Sequence, residues 1–392
     1  MNQAYPYIKH ASIPVQKGEL WTSRQRQMHG IHYTVSYRAS FKPELPDFFI
    51  RKFLNKKNAL ILDPFGGRGT TIIQANLLGH RAIHNDLNPV AGFLAYARRQ
   101  IPDLHVLKNT LDSLVIEKGP VTLNVEEKKN LLPFFHEETL NEIIRLRKYL
   151  LESKFKDPAL NYIGLTALSR LHGHSEGFFS VYSFPQISIL PEAQRRNNLR
   201  RNQTPPYRNI KDRILKKMQK DLTDVIPVHY HSAAKKNKYI NCDARKLKNI
   251  KDSTVDLVVT SPPFLDKVNY LSDNWMRSWF LGYDLNHNLT MTHDLGEWLM
   301  FMRGVFVELG RVLKPGARAV IEVGEVASGG KIRNLEEYLL DLLPVVSKDY
   351  KLIAEEVLIH EQQFTKLANC WKVDNNVKGT NTNRCLIMRK VK

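Results

Sequence analysis

The run Ser261-Pro262-Pro263-Phe264 closes the apolar stretch Val255–Thr260 (VDLVVT) and is built for chemistry on a planar amine. Two consecutive prolines stiffen the turn and remove two backbone donors. Ser261 and the carbonyls beside it are then left as acceptors facing a ligand, and Phe264 adds a flat apolar face on which a base can stack. Acceptors next to an aromatic face suit a planar base that carries an exocyclic amino group. Proline-rich turns after strands are common, so this motif gains weight only from company.

The company lies far upstream, in Asn58–Pro89 (NALILDPFGGRGTTIIQANLLGHRAIHNDLNP). Asn58–Leu62 reads as a short buried strand. Gly66, Gly67 and Gly69 follow, then a helix over Thr71–Leu78 with Thr70 and Thr71 as its N-terminal caps and Gly79 as its C-terminal glycine. Arg81–His84 reads as a second strand, with Asn85-Asp86 at its tip. Glycines after a first strand let the backbone approach a cofactor, and a carboxylate at the next strand tip can hold two ribose hydroxyls. A glycine loop alone is a weak signal; between a strand and a helix, with the acidic tip behind it, the signal is much stronger. The loop is neither a G-x-G-x-x-G dinucleotide fingerprint nor a P-loop, because no Gly-Lys-Ser/Thr follows.

The loop Asp63-Pro-Phe-Gly-Gly-Arg-Gly-Thr-Thr71 resembles the S-adenosylmethionine loop of the amino-group DNA methyltransferases, D-P-F-x-G-x-G-T-T. Ser261–Phe264 resembles the catalytic motif of the same family, in the form most often seen in cytosine-N4 enzymes. Adenine-N6 relatives more often carry Asp or Asn at the Ser position. The resemblance covers Asn58–Arg99 and Tyr239–Val326. It implies that Asp63, Pro64, Phe65, Gly66, Gly67, Gly69 and Thr70 cradle the methionine portion of S-adenosylmethionine and that Asp86 takes the ribose hydroxyls. Asp243 would accept from the adenine amino group, although an Asp at that position can equally cap the turn after it. Ser261 and the Pro262 carbonyl would hydrogen-bond the target amino group, with Pro263 holding the turn and Phe264 stacking on the base. A base inside a duplex has to be flipped out, at roughly a few kcal/mol.

The elements that position these motifs follow an α/β rhythm. The expected fold is a doubly wound, mostly parallel Rossmann-like methyltransferase sheet, interrupted by a largely helical basic recognition region. Residues 1–104 form a lead-in and the cofactor half, 105–235 the inserted target-recognition region, and 236–392 the catalytic half. In the lead-in, Leu45–Leu54 reads as an amphipathic helix, and His32, Tyr37, Arg38 and Phe41 to Pro43 match a segment that folds over the methionine end of the cofactor in related enzymes. In the insert, Glu137–Leu151 is a helix, and Arg170–Ser180 is a polar, Gly-rich loop unlike a core element. Between Arg195 and Lys220 stand ten basic residues against one acid, Asp212. Arg195, Arg196, Arg200, Arg201, Arg208, Lys211 and Arg213 are the DNA-contact candidates in that run. In the last part, strands are expected at Tyr239–Asp243, Val255–Thr260, Arg318–Val323, Tyr350–Ile359 and Arg384–Lys390, and helices at Trp298–Leu313 and Asn334–Leu343. The closing two strands would make an antiparallel edge.

Composition agrees. A formal charge of +19 and a pI near 9.7 point to a polyanionic partner. Three cysteines without a C-x-x-C pair argue against a disulfide framework or a zinc knuckle. Cytosine-C5 methylation needs a thiolate on a Pro-Cys turn, and Cys242, Cys370 and Cys385 follow Asn, Asn and Arg. His29, His32, His172 and His174 have no metal-site spacing, so no metal is expected. No apolar run is long enough to span a bilayer and no signal peptide opens the chain, so a cytoplasmic location and no membrane partner are expected. The resulting expectation is a cytosine-N4 DNA methyltransferase that takes S-adenosyl-L-methionine and double-stranded DNA, within a restriction-modification system that can include a cognate endonuclease. Three other readings stay open: an adenine-N6 DNA enzyme, an RNA or tRNA base methyltransferase, and a non-catalytic nucleic-acid-binding protein on this fold.

Overall fold

Val255–Thr260 is buried along its whole length, as an uninterrupted apolar run requires of a strand covered on both faces. The computed structural model describes residues 3–4, 13–22, 27–184, 189–263, 270–284, 294–328, 331–350, 352–361 and 382–391. Its strands are β1 (Gln3–Ala4), β2 (Val15–Gly18), β3 (Leu60–Asp63), β4 (Arg81–Asn85), β5 (Lys238–Ile240), β6 (Val255–Thr260), β7 (Leu313–Val323), β8 (Glu325–Ser328), β9 (Lys331–Asn334), β10 (Leu352–Glu361) and β11 (Thr382–Lys390). Nine of them form one sheet in the order β1-β2-β10-β11-β7-β6-β3-β4-β5, and β8 and β9 pair separately.

From β7 through β6, β3 and β4 to β5 the pairing is parallel throughout. The fold is therefore an α/β one with a mostly parallel, mixed sheet. β11 runs antiparallel between β7 and β10. The closing strands do not form an edge, however. β2, from the lead-in, pairs parallel with β10, and β1 lies outside it. Val15 is buried, so the lead-in supplies a strand whose alternation was too short to stand out from sequence.

Local expectations hold elsewhere, with shifts of a few residues. Helices run over Glu44–Phe53, Thr70–Leu77, Glu137–Glu152, Leu295–Val312 and Leu335–Tyr350. The helix after the glycine loop is not capped by Thr70 or Thr71: Gly69 is its N-cap, at φ +86°, and offers no side chain. Thr71 turns inward, and its hydroxyl donates to the Val259 carbonyl at 3.1 Å. Leu313-Lys-Pro-Gly316 opens β7, which begins directly after the helix.

Two buried layers sandwich the sheet. One face is covered by the helices Leu295–Val312 and Leu335–Tyr350, through Trp298, Phe306 and Leu339. The other is covered by the helix Thr70–Leu77 and by the helical region 104–234. Leu140, Ile163 and Ile214 of that region belong to the same buried cluster as Ile61 and Leu257 of the sheet, so it packs against this face and shares its core. The loop Arg170–Ser180 also departs from expectation. Phe178, Phe179 and Ser180 are buried, and the Phe179 amide donates to the Arg170 carbonyl at 2.8 Å. Its glycines make room for packing, as at Gly173, where an added Cβ would meet the Phe178 ring at 2.5 Å.

Candidate active site

β3 is followed by β4 and β5 on one side, whereas β6 and β7 lie on the other. The strand order thus reverses between β3 and β6, and the crevice beyond the carboxyl ends of strands at such a point is where open α/β sheets bind ligands. A cavity of about 330 Å³ opens there, walled by the loops after β3, β4, β5 and β6.

The glycine loop is fixed from below. The Gly66 amide donates to the Asn85 carbonyl at 2.8 Å. An added Cβ at Gly66 would stand 2.3 Å from the ring of His84, which is fully buried. Gly67 adopts φ +48°, and its amide points at the Asp86 carboxylate, 2.8 Å from Oδ2. Arg98, 1% exposed, donates to the Ile31 carbonyl at 3.1 Å and to the Arg68 carbonyl, bracing the loop from behind. Asn85 joins two walls: its Nδ2 donates to the carbonyls of Pro64 and Cys242, both at 3.0 Å. Sequence reading passed over His84, Asn85 and Arg98. Asn85 was the detectable one, as an amide at a strand tip beside an acid.

Three carboxylates have distinct surroundings. Asp86 lines the cavity, with Oδ1 accepting the Asn88 amide and Oδ2 the Gly67 amide, both at 2.8 Å. Burial outweighs these bonds and pushes its pKa up to about 6. Two of its roughly four lone-pair directions remain for a ligand. Asp63 does not line the cavity. It is 1% exposed and takes the Thr260 hydroxyl at 2.6 Å and the Phe65 amide at 3.1 Å, tying β3 to β6. Burial likewise pushes Asp63 up to about 6. Asp243 lines the cavity and also caps its own turn, accepting the Arg245 amide at 2.8 Å and pairing with the Arg245 guanidinium at 2.6 Å. Burial would raise its pKa, but the bonds from Arg245 prevail and hold it below the ordinary carboxylate value.

Of the predicted cofactor residues, Pro64, Phe65, Gly66, Gly67, Thr70, Asp86 and Asp243 meet around this cavity, and Asp63 and Gly69 stand behind it. Ser261 and Pro263 close the same cavity, and Pro262 is buried behind them. Phe264 lies outside the described residues. Ser261 is hydrogen-bonded to Glu322 of β7, whose carboxyl burial raises above its ordinary pKa. The Trp298 indole donates to the Pro263 carbonyl at 2.9 Å, which fixes the turn. From the lead-in, Tyr37, Arg38 and Phe41 line the cavity. His32 does not: it is buried against Gln74 at 2.9 Å. The Arg38–Asp273 pair at 3.1 Å and the Arg277–Ser36 bond at 2.8 Å tie this lead-in loop to the helix Tyr270–Leu281.

A cavity of this size, with a glycine-backbone wall, the aromatic rings of Phe65, Trp298 and Phe301, and an acid with spare lone pairs, fits a nucleoside-sized ligand. Asp86 and Asp243 also suit a cationic one.

The basic run divides in two. Arg208 donates to the carbonyls of Phe178 at 2.8 Å and Ser180 at 2.7 Å. Arg213 bonds the carbonyls of Glu176 at 2.9 Å and Asn209 at 3.0 Å. Lys211 pairs with Glu117 at 2.8 Å, and Arg195 is spent on Glu192 and the Lys129 carbonyl. These four build the helical layer. Arg196, Arg200 and Arg201 share the helix Pro191–Arg201. Among the described residues Arg200 bonds only the neighbouring Asn197, at 2.8 Å, and Arg201 lies over the Tyr182 ring.

Comparison with known proteins finds similarity to DNA methylases over part of the chain. The family model of the DNA methylases matches residues 9–91. The Type II methyltransferase M.BsoBI of Geobacillus stearothermophilus is 24% identical over 281 residues, 65% of this chain and 53% of the relative. The Type II methyltransferase M.MjaII of Methanocaldococcus jannaschii is 34% identical over 88 residues, 22% of this chain and 16% of the relative. This chain thus spans about half of the first relative's length. A Thermus thermophilus protein, described as a candidate DNA modification methylase and solved with S-adenosyl-L-methionine, is 25% identical over 38% of this chain and 54% of its own, at a TM-score of 0.24. Residues 9–91 are thus similar to the DNA methylases, and both relatives are Type II methyltransferases. Among the described residues, no helix is long and apolar enough to cross a membrane.

Proposed function

We propose that the chain methylates the exocyclic N4 amino group of cytosine in a specific DNA sequence, using S-adenosyl-L-methionine. One observation carries this reading: the Ser261–Pro263 turn and the glycine loop with Asp86 wall the same cavity. The Ser at the head of the motif supports cytosine-N4 over adenine-N6. Both relatives are Type II methyltransferases, which supports a Type II modification enzyme, and a cognate endonuclease is the partner such a system can include.

The cofactor, when bound, supplies an electrophilic methyl group. Asp86 would hold the ribose hydroxyls, the Gly66–Gly67 backbone the methionine portion, and Asp243 the adenine amino group. Glu322 holds the Ser261 hydroxyl, so that the serine oxygen keeps a lone pair for the target amine. With the Pro263 carbonyl taken by Trp298, Ser261 and the Pro262 carbonyl are the acceptors left in the motif. Two acceptors on the amino group localise the nitrogen lone pair, and positioning of this kind supplies much of the rate in such transfers. The nitrogen sheds one proton as it gains the methyl group, toward the serine oxygen that already accepts from it, while the serine's own hydroxyl proton passes to the Glu322 carboxylate it is bonded to. Arg196, Arg200 and Arg201 are the arginines of the basic run proposed to meet DNA.

The test is nucleoside mass spectrometry and single-molecule sequencing of DNA from cells expressing the chain. N4-methylcytosine in one short motif is the expected result. N6-methyladenine would keep the class and overturn the base, and unmodified DNA would overturn the reading.

A further inference from the structure

The opposite end of the parallel sheet carries a second cavity, of about 290 Å³, with a different character. It opens at the amino ends of β3, β4, β5, β6 and β7, over a floor of Leu60, Ile83 and Ile250. Arg81, Lys236, Lys238, Lys251 and Lys314 stand around it, together with the hydroxyls of Ser253 and Thr254, and no carboxylate lines it. The two acids of this edge are already taken. Asp256 holds Lys56 and Lys314, each at 2.6 Å, and Asp252 holds Arg311 at 2.5 Å.

Among the described residues, Arg81, Lys236, Lys238 and Lys251 have no ion-pair partner, and the buried Arg81 Nε–H has no acceptor. A buried donor without an acceptor costs roughly 1–3 kcal/mol, so a bound anion has something to repair here. Cations of one sign over low-dielectric walls concentrate counter-ions. Exposed Lys57 and Lys235 are sequence neighbours of this rim, and a cationic rim of that breadth suits a polyanion better than a single phosphate.

We infer that this basic pocket at the amino ends of the strands is a second DNA-backbone site, holding a duplex segment other than the one being methylated. The inference rests on the reading of the chain as a DNA enzyme. The two cavities open at opposite ends of the same strands, so a straight duplex held at one does not reach the other. The protein would thereby keep a second stretch of DNA at hand while the first is processed.

The test uses the full chain and the fourfold variant R81Q/K236Q/K238Q/K251Q. Protein is loaded on an immobilised duplex of about 20 base pairs and challenged with a second, fluorescent duplex. Wild type captures the second duplex and the variant loses at least about tenfold of that capture, with its first-duplex binding and thermal melt unchanged. The salt dependence of capture drops by a slope of about 3 to 4, at roughly 0.9 per phosphate contact. Lysine acetylation read by mass spectrometry gives a second measure: added duplex protects Lys236, Lys238 and Lys251 in wild type, and in a lone K238Q variant it protects the remaining two less. Equal capture by wild type and variant, or no capture by wild type, overturns the inference. So does protection by inorganic pyrophosphate but not by duplex, which would mark a small-anion site. Absence of methyl transfer in both proteins, with capture present in wild type and lost in the variant, would instead sink the proposed reaction.

Discussion

Replacing Asp86 with Asn should separate the proposed cofactor binding from loop order, because the observed and the proposed use of this carboxylate respond differently. Each of its oxygens already accepts one backbone amide at 2.8 Å, from Gly67 and Asn88. An Asn side chain has one oxygen, so its NH2 group would face one of those amides. That amide loses its acceptor at roughly 1–3 kcal/mol, a cost present with or without ligand and read as a lower melting temperature. A ribose hydroxyl additionally loses a charged acceptor, worth roughly 1.5–3 kcal/mol. That second loss appears only on binding, as about 10- to 150-fold weaker affinity for S-adenosylmethionine by titration calorimetry near pH 7.5. The pH dependence adds an independent check. With a pKa of about 6, roughly a tenth of Asp86 is ionised near pH 5, so wild-type affinity falls about tenfold by then while the Asn variant stays flat. Stability of the free protein moves the other way. Asp63 and Asp86 both titrate above the ordinary 3.8, so their contribution is greatest below 3.8 and is lost as the pH rises through about 6. Acidification should therefore tighten the fold as it loosens cofactor binding. Variant affinity within threefold of wild type, or a flat wild-type affinity across that range, would refute the assignment of Asp86.

Further outcomes follow from particular side chains. Gly66→Ala puts a Cβ 2.3 Å from the His84 ring, and overpacking of that kind costs roughly 1–3 kcal/mol; denaturant unfolding should show it, and a double-mutant cycle with His84→Ala should recover part. Ser261→Ala should leave calorimetric cofactor affinity unchanged and slow single-turnover transfer about 100-fold, a typical loss for one preorganised polar contact; Phe264→Ala should weaken use of the target by the roughly 1–3 kcal/mol of a base stack. Normal transfer in both would remove the motif from the mechanism. Arg208→Ala strands the Phe178 and Ser180 carbonyls and should destabilise by about 2 kcal/mol or more, whereas Arg200→Ala should spare the melt and reduce the salt slope of duplex binding by about 0.9 if it meets a phosphate.

How much of this was legible in the sequence depends on how far apart the partners lie along the chain. From Leu60 to Asp86 the strand, loop, helix and next strand are contiguous, and the residues that fix their geometry, Gly66, Gly67 and Asp86, are of types that few other roles demand. That unit could be read directly, as could the end of β6 at Ser261. What closes the site comes from elsewhere: Trp298 reaches the Pro263 carbonyl, Glu322 reaches Ser261, and Tyr37 reaches Asn88 at 3.0 Å. In sequence Trp298 and Glu322 are ordinary members of an amphipathic helix and an apolar strand, and only the crossover that sets β6 beside β7 gives them a task. Four letters of β2 likewise do not disclose a partner strand more than 300 residues away. The basic run fails for a different reason. An arginine that braces three loop carbonyls, as Arg208 does, and one that faces solvent, as Arg200 does, are the same letter in the same kind of neighbourhood. Charge density can mark a region that meets a polyanion, but which guanidinium is free depends on which carbonyls the surrounding loop leaves without donors. That is decided by folding of the loop Arg170–Ser180, about thirty residues upstream. Motifs whose chemistry requires a residue type are therefore readable one chain at a time, and contacts that any cation can make wait for the fold.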